Sequence, residues 1–444
     1  MARTFTLAWP LILANITVPL LGLVDTLVLG HLDSPVYLGA VAVASNIFGL
    51  IYVSLNFLRT STVGLTAQAL GQSQNQNQEN HRKQEKILFQ GLLISFVLGV
   101  FLLLFNSLYL PHLLQIMMSS DSVYSHALLY ANIRIVSAPA VLAIYVVIGW
   151  LIGLQQTRGA LIILTLTNAI NIVLDVLLVS VFDFNVKGVA WATVIADYAG
   201  CICALFLASQ QLQAKKFRFN KNNLTQLFNK AEFYRLFSIN GNLFIRTLAL
   251  LSVFAFFTAQ GARQGDSLLA ANAILLNFLF LISNTLDGFA NAAESTTGHA
   301  WGSKNKELFY RQCLAAFIWF FIITFILVLI FSLGGALLIS ILTNMDTIKN
   351  IAIEYLPWLI FMPLVSSWSY LFDGVFTGTT AIKEMRNTIL LPGFIIYLPA
   401  WLVFLFMGNH GLWLAMILFM LARSMLGLYY FRRYSTHPHW KALS

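Results

Sequence analysis

Leu20-Leu-Gly-Leu-Val-Asp25-Thr-Leu-Val-Leu-Gly30 is an apolar run with one carboxylate at its centre. It belongs to a stretch over 6–30, long enough to cross a bilayer as a helix. An ionised side chain at mid-membrane costs about 2.5–3.5 kcal/mol on insertion scales. Such residues are kept for protons, ions or ligands, so Asp25 marks both a fold and a candidate site.

The rest of the chain repeats this apolar pattern. Of 444 residues 59% are hydrophobic and only 10% are charged, against about 25% charged in soluble domains. Further apolar runs lie at 36–70, 86–110, 122–153, 159–182 and 187–210, then at 236–262, 267–300, 308–342, 349–378, 384–407 and 410–431. Twelve such runs predict an all-α polytopic membrane protein. The roughly ten-residue alternation of a transmembrane barrel is absent. The first run lacks a small-residue cleavage site and is expected to be retained.

Lys and Arg set the orientation. With the N-terminus inside, nineteen of them fall in inside segments and three (Lys187, Arg263, Lys349) in outside ones. Arg59, Arg134, Arg246 and Arg423 fall within spans. The asymmetry predicts a multi-pass plasma-membrane protein, at the inner membrane in a Gram-negative cell, with both termini cytoplasmic. It also accounts for the net charge of +9, since no nucleic-acid-binding module accompanies it. Cys201, Cys203 and Cys313 lie in apolar runs and form no metal or redox spacing.

Short motifs recur in order. Asp33-Ser34 and Asp266-Ser267 precede spans 2 and 8, which end in Thr66-Ala-Gln-Ala-Leu-Gly71 and Thr297-Gly-His-Ala-Trp-Gly302. Spans 4 and 10 end in Gly149-Trp-Leu-Ile-Gly153 and Gly374-Val-Phe-Thr-Gly378; spans 6 and 12 open at Gly188 and Gly411. The offsets are 223–233 residues. Two parallel six-helix halves follow: an N-terminal lobe over 1–210, a basic cytoplasmic linker over 211–235 and a C-terminal lobe over 236–444. A repeat about the membrane normal suits alternating access.

Six carboxylates fall inside spans: Asp25, Asp175, Asp197, Asp287, Glu294 and Asp373. In span 5, Asn168, Asn171 and Asp175 share one helix face, as do Thr193 and Asp197 in span 6. With Asp25 they form an oxygen-rich set suited to a proton or a hard cation; hydrogen-bonded helix packing is the plainer reading. Span 8 carries Asn284, Asp287, Asn291 and Glu294 along one stripe. Arg246 in span 7 pairs with Asp287 or Asp373 on the simplest reading, because buried charges need partners. Pro10 and Pro19 weaken the span-1 helix on the way to Asp25. No P-loop, nucleophile elbow or zinc-protease motif occurs, so neither ATP, another cofactor nor enzymatic chemistry is expected.

The stretch Gly22-Leu-Val-Asp25-Thr-Leu-Val-Leu-Gly30-His31 closely resembles the DinF branch of the MATE (multidrug and toxic compound extrusion) transporters. Leu7-Ala-Trp-Pro10, Ser61-Thr-Val-Gly-Leu-Thr-Ala-Gln68, Asn171-Ile-Val-Leu-Asp175, Leu371-Phe-Asp-Gly374 and Glu384-Met-Arg-Asn387 extend it through both halves. The resemblance implies a monomeric, V-shaped twelve-helix exporter of drug-like, often cationic compounds, driven by H⁺ or Na⁺. It implies an ion site at Asp25, Asn171, Asp175 and Thr193, and a span-1 bend triggered by protonating Asp25. A C-lobe Na⁺ site of another branch pairs a span-10 Asp, matched by Asp373, with a span-7 Glu that this chain lacks. The expectation is therefore H⁺-coupled efflux through the N-lobe. Na⁺ coupling at the same four residues is the second reading. A lipid or lipid-linked sugar flippase is a third, with Arg59, Arg134 and Arg246 as its only basic candidates.

Overall fold

The computed structural model describes residues 2–15, 35–73, 78–117, 121–214, 230–343 and 345–437. These are helical almost throughout and contain no strand. Within them eleven helices are long and apolar enough to cross a membrane. The first expected span, 6–30, lies largely outside the described residues.

The helices are α1 (2–15), α2 (Pro35–Leu55), α3 (Phe57–Gln72), α4 (Gln78–Leu104), α5 (Asn106–Met117), α6 (Asp121–Arg134), α7 (Ala138–Gly153), α8 (Thr157–Asp175) and α9 (Asn185–Ala214). Then come α10 (Lys230–Ala262), α11 (Asp266–Gly302), α12 (Lys306–Leu342), α13 (Asp346–Gly378), α14 (Ile382–Leu391), α15 (Leu398–Val403) and α16 (Asn409–Arg432).

Several spans are compound, each with a local cause. α6 and α7 are joined through a 3₁₀ turn at Ile135–Ser137, just before Pro139, which lacks a backbone N–H. α8 passes into a π-helical turn at Val176–Val181. In the other half α14 passes through a π turn at Pro392–Tyr397, opened by Pro392, into α15.

Two compact units result: Leu13–Leu236, and Phe237–Ser444 together with Met1–Ile12. The start of α1 thus sits with the C-terminal helices, not within a 1–210 lobe. Phe5 stacks on Trp319 of α12 at 4.9 Å. A Cβ on Gly288 of α11 would come within 2.4 Å of the Ile12 side chain. Of the expected linker, 211–214 ends α9 and 230–235 begins α10; the remainder lies outside the described residues.

The recurring Gly-x-x-x-Gly pairs have the same use in each unit. On α7, a Cβ at Gly149 would lie 2.4 Å from the Arg59 carbonyl oxygen, and one at Gly153 2.6 Å from Thr66 Cβ. On α13, a Cβ at Gly374 would lie 2.7 Å from the Ala290 oxygen, and one at Gly378 2.4 Å from the Glu294 oxygen. Small residues let α7 seat on α3, and α13 on α11, backbone against backbone. Both helices end alike. Gln156 N–H reaches the Leu151 carbonyl and Ala381 N–H the Phe376 carbonyl, each at 2.8 Å. Gln155 and Thr380 adopt the left-handed conformation (φ 64° and 54°) that this ending requires.

Candidate functional site: a buried carboxyl and its polar partners in the N-terminal unit

α8 turns Asn168, Asn171 and Asp175 inward while Leu166 and Val173 stay exposed. That is the one-face pattern expected of the i, i+3, i+7 spacing. Asp175 is 0% exposed and Asn171 1%. α9 packs beside α8 because Gly200 leaves room; a Cβ there would lie 2.0 Å from Thr167 Oγ1. This brings Thr193 of α9, also buried, against Asn171.

The Asn171 amide fits this place in two ways. In one, Nδ2 donates to Thr193 Oγ1 at 3.1 Å, and the Thr193 hydroxyl donates to the Val189 carbonyl at 2.8 Å. The amide oxygen then faces Asp175 Oδ2, a contact between two acceptors unless the carboxyl carries a proton. With the amide turned over, its nitrogen donates to Asp175 Oδ2 at 2.8 Å. Its oxygen then accepts from the Thr193 hydroxyl at 3.1 Å and from the Thr193 N–H at 3.2 Å. The first arrangement suits a neutral carboxyl and the second a carboxylate.

Immediately after Asp175 the helix widens into its π turn, where Phe182 N–H bonds the Leu177 carbonyl five residues back at 3.1 Å. Gly188, at the start of α9, fits against this turn; a Cβ there would be 3.1 Å from the Leu178 oxygen. Single π turns inside α-helices recur at functional sites.

Asp197 shares its face of α9 with Thr193 but faces a different partner. Arg134 Nη1 of α6 donates to Asp197 Oδ2 at 2.5 Å. The same nitrogen donates to Ser137 Oγ. The guanidinium also lies over the Phe48 and Tyr52 rings, 5.8 and 5.4 Å from their centroids. Asp197 is thus part of an ion pair joining α6 to α9. Asp25 and Pro19 lie outside the described residues. Pro10 is buried within α1.

The C-terminal unit is built differently. Asp373 Oδ2 on α13 receives Arg246 Nη2 of α10 at 2.5 Å and Arg423 Nη2 of α16 at 3.0 Å. Arg423 is 2% exposed and also lies 5.6 Å from the Phe419 ring centroid. Between the two partners open to Arg246 in the sequence, Asp287 and Asp373, the ion pair is with Asp373. On α11, Asn291 and Glu294 are buried where α13 packs, while Asn284 and Asp287 are half-buried. Ser283 and Tyr370 are hydrogen-bonded at 2.5 Å beside that stripe. Arg134 and Arg423 were visible in the sequence only as charges inside spans. Nothing in the one-dimensional pattern says which carboxylate each one reaches.

The family model MatE matches residues 10–177 and 243–408. The chain is 38% identical to DNA damage-inducible protein F of Escherichia coli (strain K12), over 98% of this chain and 93% of that protein. It is 24% identical to the probable multidrug resistance protein NorM of Acinetobacter baylyi, over 94% of this chain and 92% of the relative. A solved structure described as the outward-facing conformation of a multidrug resistance MATE family transporter superposes with a TM-score of 0.85. It covers 98% of this chain and 95% of its own at 19% identity, which concerns the fold. With both halves matched by the family model and a near full-length relative sharing more than a third of its residues, the chain belongs to the MATE (multidrug and toxic compound extrusion) family of membrane transporters.

Proposed function

We propose that this protein exports drug-like organic compounds in exchange for protons, and that Asp175 and Asp25 of the N-terminal unit carry the proton. The observation behind this reading is the fully buried Asp175 carboxyl beside an amide that fits either protonation state. In one orientation the amide oxygen can accept from the neutral acid, and in the other the amide nitrogen donates to the anion. A proton from outside neutralises the cluster, and its release inside restores the carboxylate. One charge moved through 100 mV supplies about 2.3 kcal/mol, and 1.4 kcal/mol corresponds to a tenfold gradient. No nucleotide hydrolysis is required.

Proton coupling is favoured over Na⁺ at Asp25, Asn171, Asp175 and Thr193 by the same geometry. When Asp175 is ionised, the amide presents nitrogen to it and commits its oxygen to Thr193. A hard cation needs converging oxygens. In the C-terminal unit Asp373 already receives two guanidinium groups, which leaves a poor seat for Na⁺. The flippase reading is weakened as well, because Arg134 and Arg246 are held in ion pairs rather than offered to a phosphate.

The substrate class follows the relatives, among them a probable multidrug resistance protein. The Lys and Arg asymmetry supports cytoplasmic termini. We take the working unit to be the monomer. The test is transport in proteoliposomes under an imposed proton or sodium gradient, for wild type, Asp25→Asn and Asp175→Asn. Uptake of a fluorescent organic cation driven by the proton gradient, and lost in both variants, is expected. Wild-type transport under a sodium gradient alone overturns the proton reading. Full activity in both variants overturns the site.

A further inference from the structure

The C-terminal unit has an apolar groove of about 570 Å³ between α12, α13 and α16. Its rim is exposed, with Leu314 at 58% and Met425 at 64%. Its one hydroxyl along α16, that of Ser424, is committed to the Val365 carbonyl at 2.6 Å. A drug-sized ligand is fixed in orientation by a few well-placed polar groups, and this groove offers almost none along its length. A hydrocarbon chain needs none.

One end of the groove is different. There Tyr310 and Phe431 meet edge to face at 6.1 Å. Arg311 follows Tyr310 and stands three residues before Leu314 on α12. Arg432 follows Phe431 and stands four residues after Leu428, a groove residue on α16. Helical periodicity places Arg432 on the groove side of α16 at this end, and Arg311 about 60° round α12 from the rim residue Leu314, on the groove's flank. Both are exposed, as is Glu307 one turn before Arg311. The net charge of the three is positive. The Lys and Arg asymmetry puts this end at the cytoplasmic face, where anionic lipids attract basic residues.

We propose that the groove holds an acyl chain of an anionic phospholipid whose headgroup phosphate is bound by Arg311 and Arg432. The apolar trough ends at Tyr310 and Phe431, whose chain neighbours are the two arginines, and this order matches an amphiphile with a single negative head. Tyr310, an amphipathic ring at the level of the headgroups, marks the boundary between them.

Native mass spectrometry of the detergent-solubilised protein tests this, with phosphatidylglycerol, phosphatidylcholine or glycerol phosphate added. Wild type is expected to retain one phosphatidylglycerol in preference to phosphatidylcholine. Arg311→Gln with Arg432→Gln should weaken it roughly twentyfold to thirtyfold, from about 1 kcal/mol per basic residue. Arg311→Lys with Arg432→Lys keeps the charge and should keep the lipid. Met425→Trp, which fills the rim, should lower retention several-fold with the arginines intact. Equal retention of the two lipids, or unchanged retention in the Gln pair, overturns the proposal. Displacement by glycerol phosphate at the lipid's own concentration also overturns it, since a bare phosphate site needs no groove.

Discussion

Asn171 and Asp175 lie one helical turn apart on α8, with an amide atom 2.8 Å from the carboxyl Oδ2. The identity of that atom, nitrogen or oxygen, is tied to the protonation of Asp175. Replacing Asp175 with Asn keeps shape and hydrogen bonding but removes the proton. Proton-driven transport should fall at least tenfold, while the melting temperature stays within a few degrees. Asn171→Leu removes the amide and leaves the carboxylate without that donor. It should lower proton-driven transport several-fold, because Asp175 then lacks the Asn171 amide in either protonation state. Transport rate against pH in proteoliposomes reads both.

The Arg134–Asp197 pair should behave as a strut. Removing one partner of a buried pair costs about 3–5 kcal/mol, because the other charge stays buried alone. Arg134→Met is therefore expected to destabilise the fold strongly. Arg134→Met with Asp197→Leu should recover most of the loss. Denaturant unfolding in mild detergent, run as a double-mutant cycle, checks the coupling. Severe destabilisation of the double variant, matching the single one, would contradict it.

Asp373 holds two guanidinium groups and so should matter more than either arginine. Asp373→Ala leaves Arg246 and Arg423 facing each other across α13 and should be the least stable of the three single variants. Arg246→Ala leaves Arg423 paired and should be the mildest, since Arg246 is also the more exposed, 17% against 2% for the side chains. The order of melting temperatures tests this ranking.

Glycine substitutions separate packing from helix propensity. Gly153→Ala and Gly378→Ala force a methyl into Thr66 and into the Glu294 carbonyl. Overpacking of that kind costs about 1–3 kcal/mol. Gly241→Ala and Gly334→Ala meet nothing within 4 Å. Those two should be neutral or stabilising by up to about 1 kcal/mol, because Ala is the better helix former. Thermal unfolding of the four variants gives the comparison.

Much of this architecture was legible from residue spacing. The paired Gly-x-x-x-Gly motifs repeat in the sequence, and in each unit they are places where two helices meet backbone against backbone. The i, i+3, i+7 spacing placed Asn168, Asn171 and Asp175 on one buried face. Asp197 shows where spacing stops being informative. It is one turn from Thr193 on the same face of α9, yet its carboxylate belongs to Arg134, 63 positions earlier in the chain. The start of α1 makes the same point, since a helix at the head of the first half packs with the second.

The sequence by itself determined the helical membrane class, the repeated motifs of the two halves and the shared buried face of Asn168, Asn171 and Asp175. Those properties follow from local chemistry: apolar runs must form helices in lipid, and a period of 3.6 residues fixes which side chains share a face. Tertiary structure alone decided which charges neutralise one another. It paired Arg134 with Asp197, and set Arg246 and Arg423 on Asp373, leaving the amide and hydroxyl of Asn171 and Thr193 beside Asp175. Ion pairing inside a bilayer is a contest among partners distant in sequence, and only the packing of the helices determines which of them meet.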